Sequence, residues 1–512
     1  HPEWSALDAD YTPYPRGATC RLSSYAKELM IPQMLELVED YDVDGFWVDG
    51  ENWGSRPCWC DRCRVAFMSK TGFDTVPERK GEAHWDEWLQ FHRDLFTAYV
   101  TEYSDAIHAK KPGCAVCSNW MYTVRQPEAV TAKVDYLSGD YTWDWGAERA
   151  ALEARMLDSR GMSWDLMVWG FSIVFVKSQE SVGVYQMKNP LHLKQEVSEV
   201  LALGGALMVY VNPERNGWLV GWQNDIIAEV GDFARERKEF CFQTESASEA
   251  AILHPVSSYY KSNDPLFNYG KSIEPLEGAL HALLENHIST DIVTDSISAT
   301  DLSRYGLLIV PERKNLTPET IEKIEGFARD GGQVIMSGDH LCREHAEVCG
   351  AGFKAEIHNK GPGTGLMHLA AGKESVGFAG TWCTVKPADG VSVIRHILTS
   401  REPDEVDRSK PVITKVDVGK GSITAIHGPI FWNYGLKHYP NLRKLVRELV
   451  DGSGFRQSVT VQAGPELEVI LRQRGTSTLI NLINRGAVQT LGPTRVMIED
   501  LHPVAGTKVE VV

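Results

Sequence analysis

No stretch of this 512-residue chain approaches twenty consecutive apolar residues, which excludes a helical membrane span. Basic residues are in deficit: 52 Lys and Arg face 69 Asp and Glu. The resulting net charge of −17 repels phosphate, so nucleic acid, anionic membranes and heavily sulfated substrates are not expected partners. The ten cysteines are scattered and fit no compact disulfide framework, which favours a cytoplasmic over a secreted protein. Internal repeats and low-complexity tracts are absent. So are an initial Met and a secretory apolar segment; the chain opens His1-Pro2-Glu3-Trp4, as expected of a processed or truncated chain. What remains is a globular composition, 43% hydrophobic and 24% charged, long enough for two to four domains.

Residues 1–246 alternate helices with short apolar strands. A helical stripe of Ile31, Met34, Leu35 and Val38 precedes a strand ending at Asp49, and a long helix over Trp85–Lys110 stops at Lys111-Pro112-Gly113. Further strands are expected at 114–119, 134–138, 165–170 and 206–211, with helices near 147–157 and around Leu193–Leu201. Five strands in βα order point to a parallel α/β architecture; a (β/α)₈ barrel needs eight. The expected fold is therefore a (β/α)₈-type barrel lacking its first three strands, which leaves an open edge. Residues 247–455 read as a doubly wound, flavodoxin- or amidotransferase-like α/β domain, and 456–512 as a small C-terminal β-sandwich. The amidotransferase nucleophile is missing: Ser337-Gly338-Asp339 stands where a Cys between glycines belongs, so this domain is expected to serve packing or assembly. The glycine-rich Gly361-Pro362-Gly363-Thr364-Gly365 lacks the following Lys-Ser/Thr of a phosphate loop.

Asp44-Gly45-Phe46-Trp47-Val48-Asp49 is a buried-type strand that ends in a carboxylate and opens into Gly50-Glu51-Asn52-Trp53. In a barrel such a residue points into the active site from the C-terminal rim. A carboxylate flanked by indoles suits a sugar-cleaving enzyme, which needs a second carboxyl across the scissile bond. Asp140, at the end of another strand, is the best partner; Glu51 is the rival, and Asp144 and Glu148 lie nearer the next helix. The plainer roles for these acids are turn or helix caps. Trp47, Trp53, Trp120, Tyr141, Trp143, Trp145 and Trp169 form an aromatic collar for stacking on a sugar, and Asn119 and Asn212 are placed to donate to its hydroxyls. Cys58-Trp59-Cys60-Asp61-Arg62-Cys63 supplies three thiols of the kind that bind a structural zinc, with Cys20 as the candidate fourth. No cofactor is needed for the chemistry.

The segments Thr19–Tyr25, Tyr41–Gly50 and Cys58-x-Cys60-x₂-Cys63 resemble the α-L-fucosidase-like hydrolases related to glycoside hydrolase family 29, and more closely the branch grouped with family 151. That resemblance implies a catalytic barrel, an amidotransferase-like middle domain and a C-terminal β-domain, the last two similar to those of family 42 β-galactosidases. It implies a retaining exo-glycosidase acting on oligosaccharides or glycosides, with Asp49 of Trp47-Val48-Asp49 as nucleophile and Asp140 as acid/base. A zinc-binding Cys cluster and a homo-oligomer, dimer or trimer, are implied too. Most relatives use Glu as the acid/base, and their sugar-binding residues on the first three strands have no counterpart here. A β-galactosidase-type hydrolase and a non-catalytic carbohydrate-binding or assembly protein are the alternatives.

Overall fold

A computed structural model of the chain describes residues 1–511 except 16, 50, 142–145, 177–181, 263–265, 268–272, 360–366 and 487–496, and, within its elements, not the side chains of 51, 174–176, 182 and 359. Two compact units emerge, each gathering segments distant in sequence: His1–Asp140 with Arg160–Asp165 and Tyr260–Lys271, and Tyr141–Ser159 with Leu166–Tyr259 and Ser272–Val512. These units cut across the three consecutive segments read from the sequence.

In the first unit a π-helical turn, Ala26–Met30, runs into α1 (Ile31–Tyr41), whose inner face buries Met34 and Val38 one turn apart. The helix ends at Asp42 in the left-handed region, and β1 (Gly45–Val48) follows. After the helices Glu51–Gly54 and Asp61–Thr71 comes α2 (Trp85–Lys110), which buries Trp88, Phe91, Phe96, Tyr99, Val100, Tyr103 and Ile107. It delivers the chain to β2 (Ala115–Ser118), parallel to β1 in the register Gly45↔Ala115 to Val48↔Ser118. Only glycine fits at position 45, because a Cβ there would meet the Ala115 carbonyl oxygen at 2.6 Å. A parallel bridge, Asn119↔Ser138, joins β2 to β3 (Leu137–Gly139), and the Leu137 N–H donates to Ser163 O at 3.0 Å.

The second unit holds α3 (Gly146–Asp158), the Leu166–Trp169 part of β4 (Trp164–Trp169), α4 (Pro190–Ala202) and β5 (Ala206–Tyr210). All five strands expected in this half of the chain are present. An antiparallel hairpin, Phe171–Val176 with Val182–Met187, follows β4 and was not expected. The middle domain begins with β6 (Ala250–His254), β7 (Thr290–Thr294), β8 (Leu307–Val310) and β9 (Gln333–Ser337) and returns to its sheet with β10 (Gly421–Ile426). Its parallel strands run β7-β6-β8-β9-β10, the flavodoxin order 2-1-3-4-5, and antiparallel Val406–Val418 and Ser392–Leu398 extend the sheet. The apolar faces of Ala251, Leu253, Leu308, Val310, Val334, Met336 and Ile423 make its core. At the C-terminus, Leu467–Arg474 pairs with Ser477–Asn484 and with Glu245–Ser246, and Val459–Gln462 pairs with Lys508–Val511. Val459, Val461, Leu467, Val469 and Leu471, from strands of the two ladders, pack together. No described helix is long and apolar enough to cross a membrane.

Candidate active site

Side chains two residues apart on a strand share a face, and registered residues on parallel neighbours point the same way. Trp47 and Asp49 therefore share a face with Cys117 and Asn119 on and beyond β2, and with Ser138 and Asp140 on and beyond β3. Asn119 Nδ2 donates to Asp49 Oδ1 at 3.1 Å and to Asp140 Oδ2 at 3.4 Å. Since one nitrogen reaches both, the two oxygens lie at most about 6.5 Å apart, the sum of those distances. The environments differ: Asp49 is exposed, whereas Asp140 is 5% exposed. Asn119 Oδ1 is buried and has no hydrogen-bond partner among the described residues.

A second level lies just beneath. Trp47 Nε1 donates to Ser138 Oγ at 2.7 Å, and Ser138 Oγ donates to Asp165 Oδ1. Burial pushes the Asp165 carboxyl up to about 6, although the Ser138 hydrogen bond opposes the shift. Around the site the loop after β2 is strained: Trp120 and Tyr122 both have positive φ, 67° and 64°. Such bulky residues pay about 1–3 kcal/mol each there, a cost that clusters at functional loops. Asn52 Nδ2 donates to Gln126 Oε1, and Gln126 Nε2 to Glu128 at 3.0 Å, tying the loop after β1 to this one.

The other expected site residues are placed as follows. Trp53 is 46% exposed, on the turn Glu51–Gly54; the Glu51 side chain and Trp143 lie outside the described residues. Trp120 is buried, with the Arg125 guanidinium 4.7 Å from its ring centroid. Tyr141, Trp169 and Asn212 belong to the second unit. There Tyr141 is fully buried and donates to Glu196 Oε2 at 2.6 Å; Trp169 packs edge-on against Phe171 and Tyr210; Asn212 is exposed. Glu196 also accepts from Lys188 at 2.6 Å and pairs with His192 at 2.9 Å. Burial pushes its carboxyl up, but Lys188 and His192 outweigh that and hold it at about 2. Ser138 and Asp165 went unnoticed in the sequence, although Ser138 stands two residues before Asp140, where strand alternation puts it on the same face.

The four cysteines converge on one another. The Sγ atoms of Cys20, Cys58, Cys60 and Cys63 are buried and lie within 4.8 Å of one another. Cys20 Sγ is 3.5 Å from Cys63 Sγ and 3.7 Å from Cys60 Sγ. A tetrahedral zinc with Zn–S bonds near 2.3 Å sets its sulfurs about 3.8 Å apart, so the donor set and spacing fit that ion. Trp59, Phe67, Trp88 and Phe91 pack round the cluster.

The α/β architecture of this chain is similar to that of solved glycoside hydrolases. Residues 249–343 match the model of the β-galactosidase trimerisation domain. The α-L-fucosidase isoenzyme 2 from Paenibacillus thiaminolyticus is 19% identical, with a TM-score of 0.77 over 100% of this chain and 78% of that one. A β-galactosidase from Bacillus circulans sp. alkalophilus is 14% identical, with a TM-score of 0.71 over 95% of this chain and 81% of that one. The cold-adapted β-galactosidase from Rahnella sp. R3 gives 15% and 0.73 over 95% and 81%. No curated protein matches by sequence. The chain thus combines fucosidase-like and β-galactosidase-like architecture.

Proposed function

We propose that this protein is a retaining exo-glycoside hydrolase of the α-L-fucosidase-like kind, with Asp49 as nucleophile and Asp140 as general acid/base. The observation that carries this is the bridging of both carboxylates by Asn119 Nδ2. An oxygen-to-oxygen approach of at most about 6.5 Å, the sum of the two hydrogen bonds, is compatible with the roughly 5–5.5 Å of retaining pairs. Asp49 attacks the anomeric carbon while Asp140 protonates the leaving oxygen. A glycosyl ester forms on Asp49, and Asp140 then takes a proton from the water that hydrolyses it. The roles divide by environment: the exposed Asp49 is assigned to attack and the buried Asp140 to proton transfer. Trp47 and Trp53 offer flat faces to the sugar. The zinc fitting Cys20, Cys58, Cys60 and Cys63 would be structural, and the chain assembles with copies of itself.

The match of residues 249–343 to a β-galactosidase domain supports a second reading, action on β-galactosides. Aryl α-L-fucoside and aryl β-D-galactoside, offered to the 512-residue chain and to Asp49→Ala and Asp140→Ala, separate the two. The expected result is fucoside turnover that falls at least a thousandfold in Asp49→Ala, with azide restoring it as β-L-fucosyl azide. Unchanged turnover in Asp49→Ala overturns the nucleophile; galactoside turnover alone replaces the substrate.

A further inference from the structure

The indole N–H of Trp47 can only donate, so in its 2.7 Å contact the Ser138 hydroxyl oxygen must accept. The hydroxyl proton is thereby free to point elsewhere, and Asp165 Oδ1 receives it. The polarity of the relay is fixed from Trp47 through Ser138 to Asp165. Ser138 is a node for more than this chain: its backbone oxygen accepts the Trp120 N–H at 3.2 Å, and its backbone bridges to Asn119. Two of the three relay residues stand beside a member of the candidate site, Trp47 two residues before Asp49 and Ser138 two before Asp140, on the same strand faces.

We propose that Asp165 is a positioning residue: by accepting the Ser138 proton it keeps that hydroxyl an acceptor and pins the Trp47 indole beside the Asp49–Asp140 pair. A carboxylate that makes no contact with the reacting atoms thus sets the orientation of the aromatic face that would meet the sugar. Keeping it there is costly, since burial pushes its carboxyl up to about 6. The titratable groups beside it, Cys117 and Tyr136, have no cationic form to offset the charge; burial raises the Cys117 thiol to about 12 and raises the Tyr136 phenol too, which keeps both neutral. A Leu at this position would avoid that cost, so the acceptor is what distinguishes Asp.

Its consequence for turnover rests on the glycosidase reading; its structural content does not. The test compares Asp165→Asn, which keeps an Oδ1 acceptor, with Asp165→Leu and Ser138→Ala, which break the relay. On aryl α-L-fucoside, Asp165→Leu and Ser138→Ala are expected to raise KM five- to twentyfold with kcat within threefold, and Asp165→Asn to restore most of the loss. The second measurement needs no substrate: the emission of each protein minus that of its Trp47→Phe counterpart isolates the Trp47 indole. That difference spectrum is expected to shift to the red in Asp165→Leu and Ser138→Ala and to stay in place in Asp165→Asn. A difference spectrum unmoved by Asp165→Leu, or moved as far by Asp165→Asn, overturns the positioning role. Absence of hydrolysis by the unaltered chain, with the spectra behaving as expected, would remove the fucosidase reading and leave the relay standing.

Discussion

Lys188 and Glu196 carry opposite charges at positions that are both fully shielded from water, with Tyr141 and His192 completing the carboxylate's hydrogen bonds. A buried pair of this kind adds little net stability over an apolar pair, but removing one partner strands the other charge at a cost of about 3–5 kcal/mol. Lys188→Met is therefore expected to destabilise the protein by about that much at neutral pH, read from urea unfolding. The pH dependence gives the sign. Glu196 is held at about 2 in the folded chain against an ordinary 4.5, so the stability it lends is present above 4.5 and is lost as pH falls through 2. Without Lys188, His192 alone opposes burial, so the carboxyl rises and the variant loses less stability on acidification than the unaltered chain does. A Lys188→Met protein whose stability falls with acid in parallel with the unaltered chain would show that the Lys188–Glu196 pair does not act as described.

The helices and strands differ in how far the sequence disclosed them. The helix Trp85–Lys110 is legible to its last residue because its apolar stripe is long and Lys111-Pro112-Gly113 ends it sharply. Asp49 and Asp140 are legible as strand-end acids, and the amide that joins them is not. Asn119 was expected to donate to sugar hydroxyls, yet its Nδ2 is occupied by the two carboxylates, a pairing set by strand register that no local pattern encodes. The hairpin Phe171–Met187 escaped notice because its apolar run continues directly from β4 through Gly170. The Cys cluster was half legible: Cys58, Cys60 and Cys63 by spacing, Cys20 only by guess, since the fold alone brings it near. A structural zinc there would add folding free energy, because it binds an arrangement the unfolded chain lacks. Elemental analysis of the purified protein is expected to find one zinc per chain. Chelation, or Cys63→Ser, should lower the melting temperature by roughly 5–10 °C, corresponding to about 2–3 kcal/mol. A metal-free protein with the same melting temperature would leave the four thiols as core packing.

At the scale of the whole molecule, the second unit leaves large aromatic surface in contact with water. Trp218 is 75% exposed, Trp222 57% and Phe240 60%, all on the helix Gly221–Cys241 or just before it. Trp218 and Trp222 lie close together in sequence around the start of this helix, and a pair of indoles open to water is a candidate contact between chains. The same unit contains residues 249–343, the segment that matches a β-galactosidase trimerisation domain, and the proposed self-assembly rests on that match. Static light scattering after gel filtration is expected to give a mass near three times the 57.1 kDa of one chain. That mass should persist in 1 M salt, because screening weakens ionic contacts and leaves apolar burial intact. Changing Trp218 and Trp222 together to Ser is expected to lower the mass toward that of a single chain, while turnover on a small aryl glycoside is retained per chain. A single-chain mass for the unaltered protein at all concentrations would rule out self-assembly, and an unchanged oligomer in the double variant would move the contact to another face.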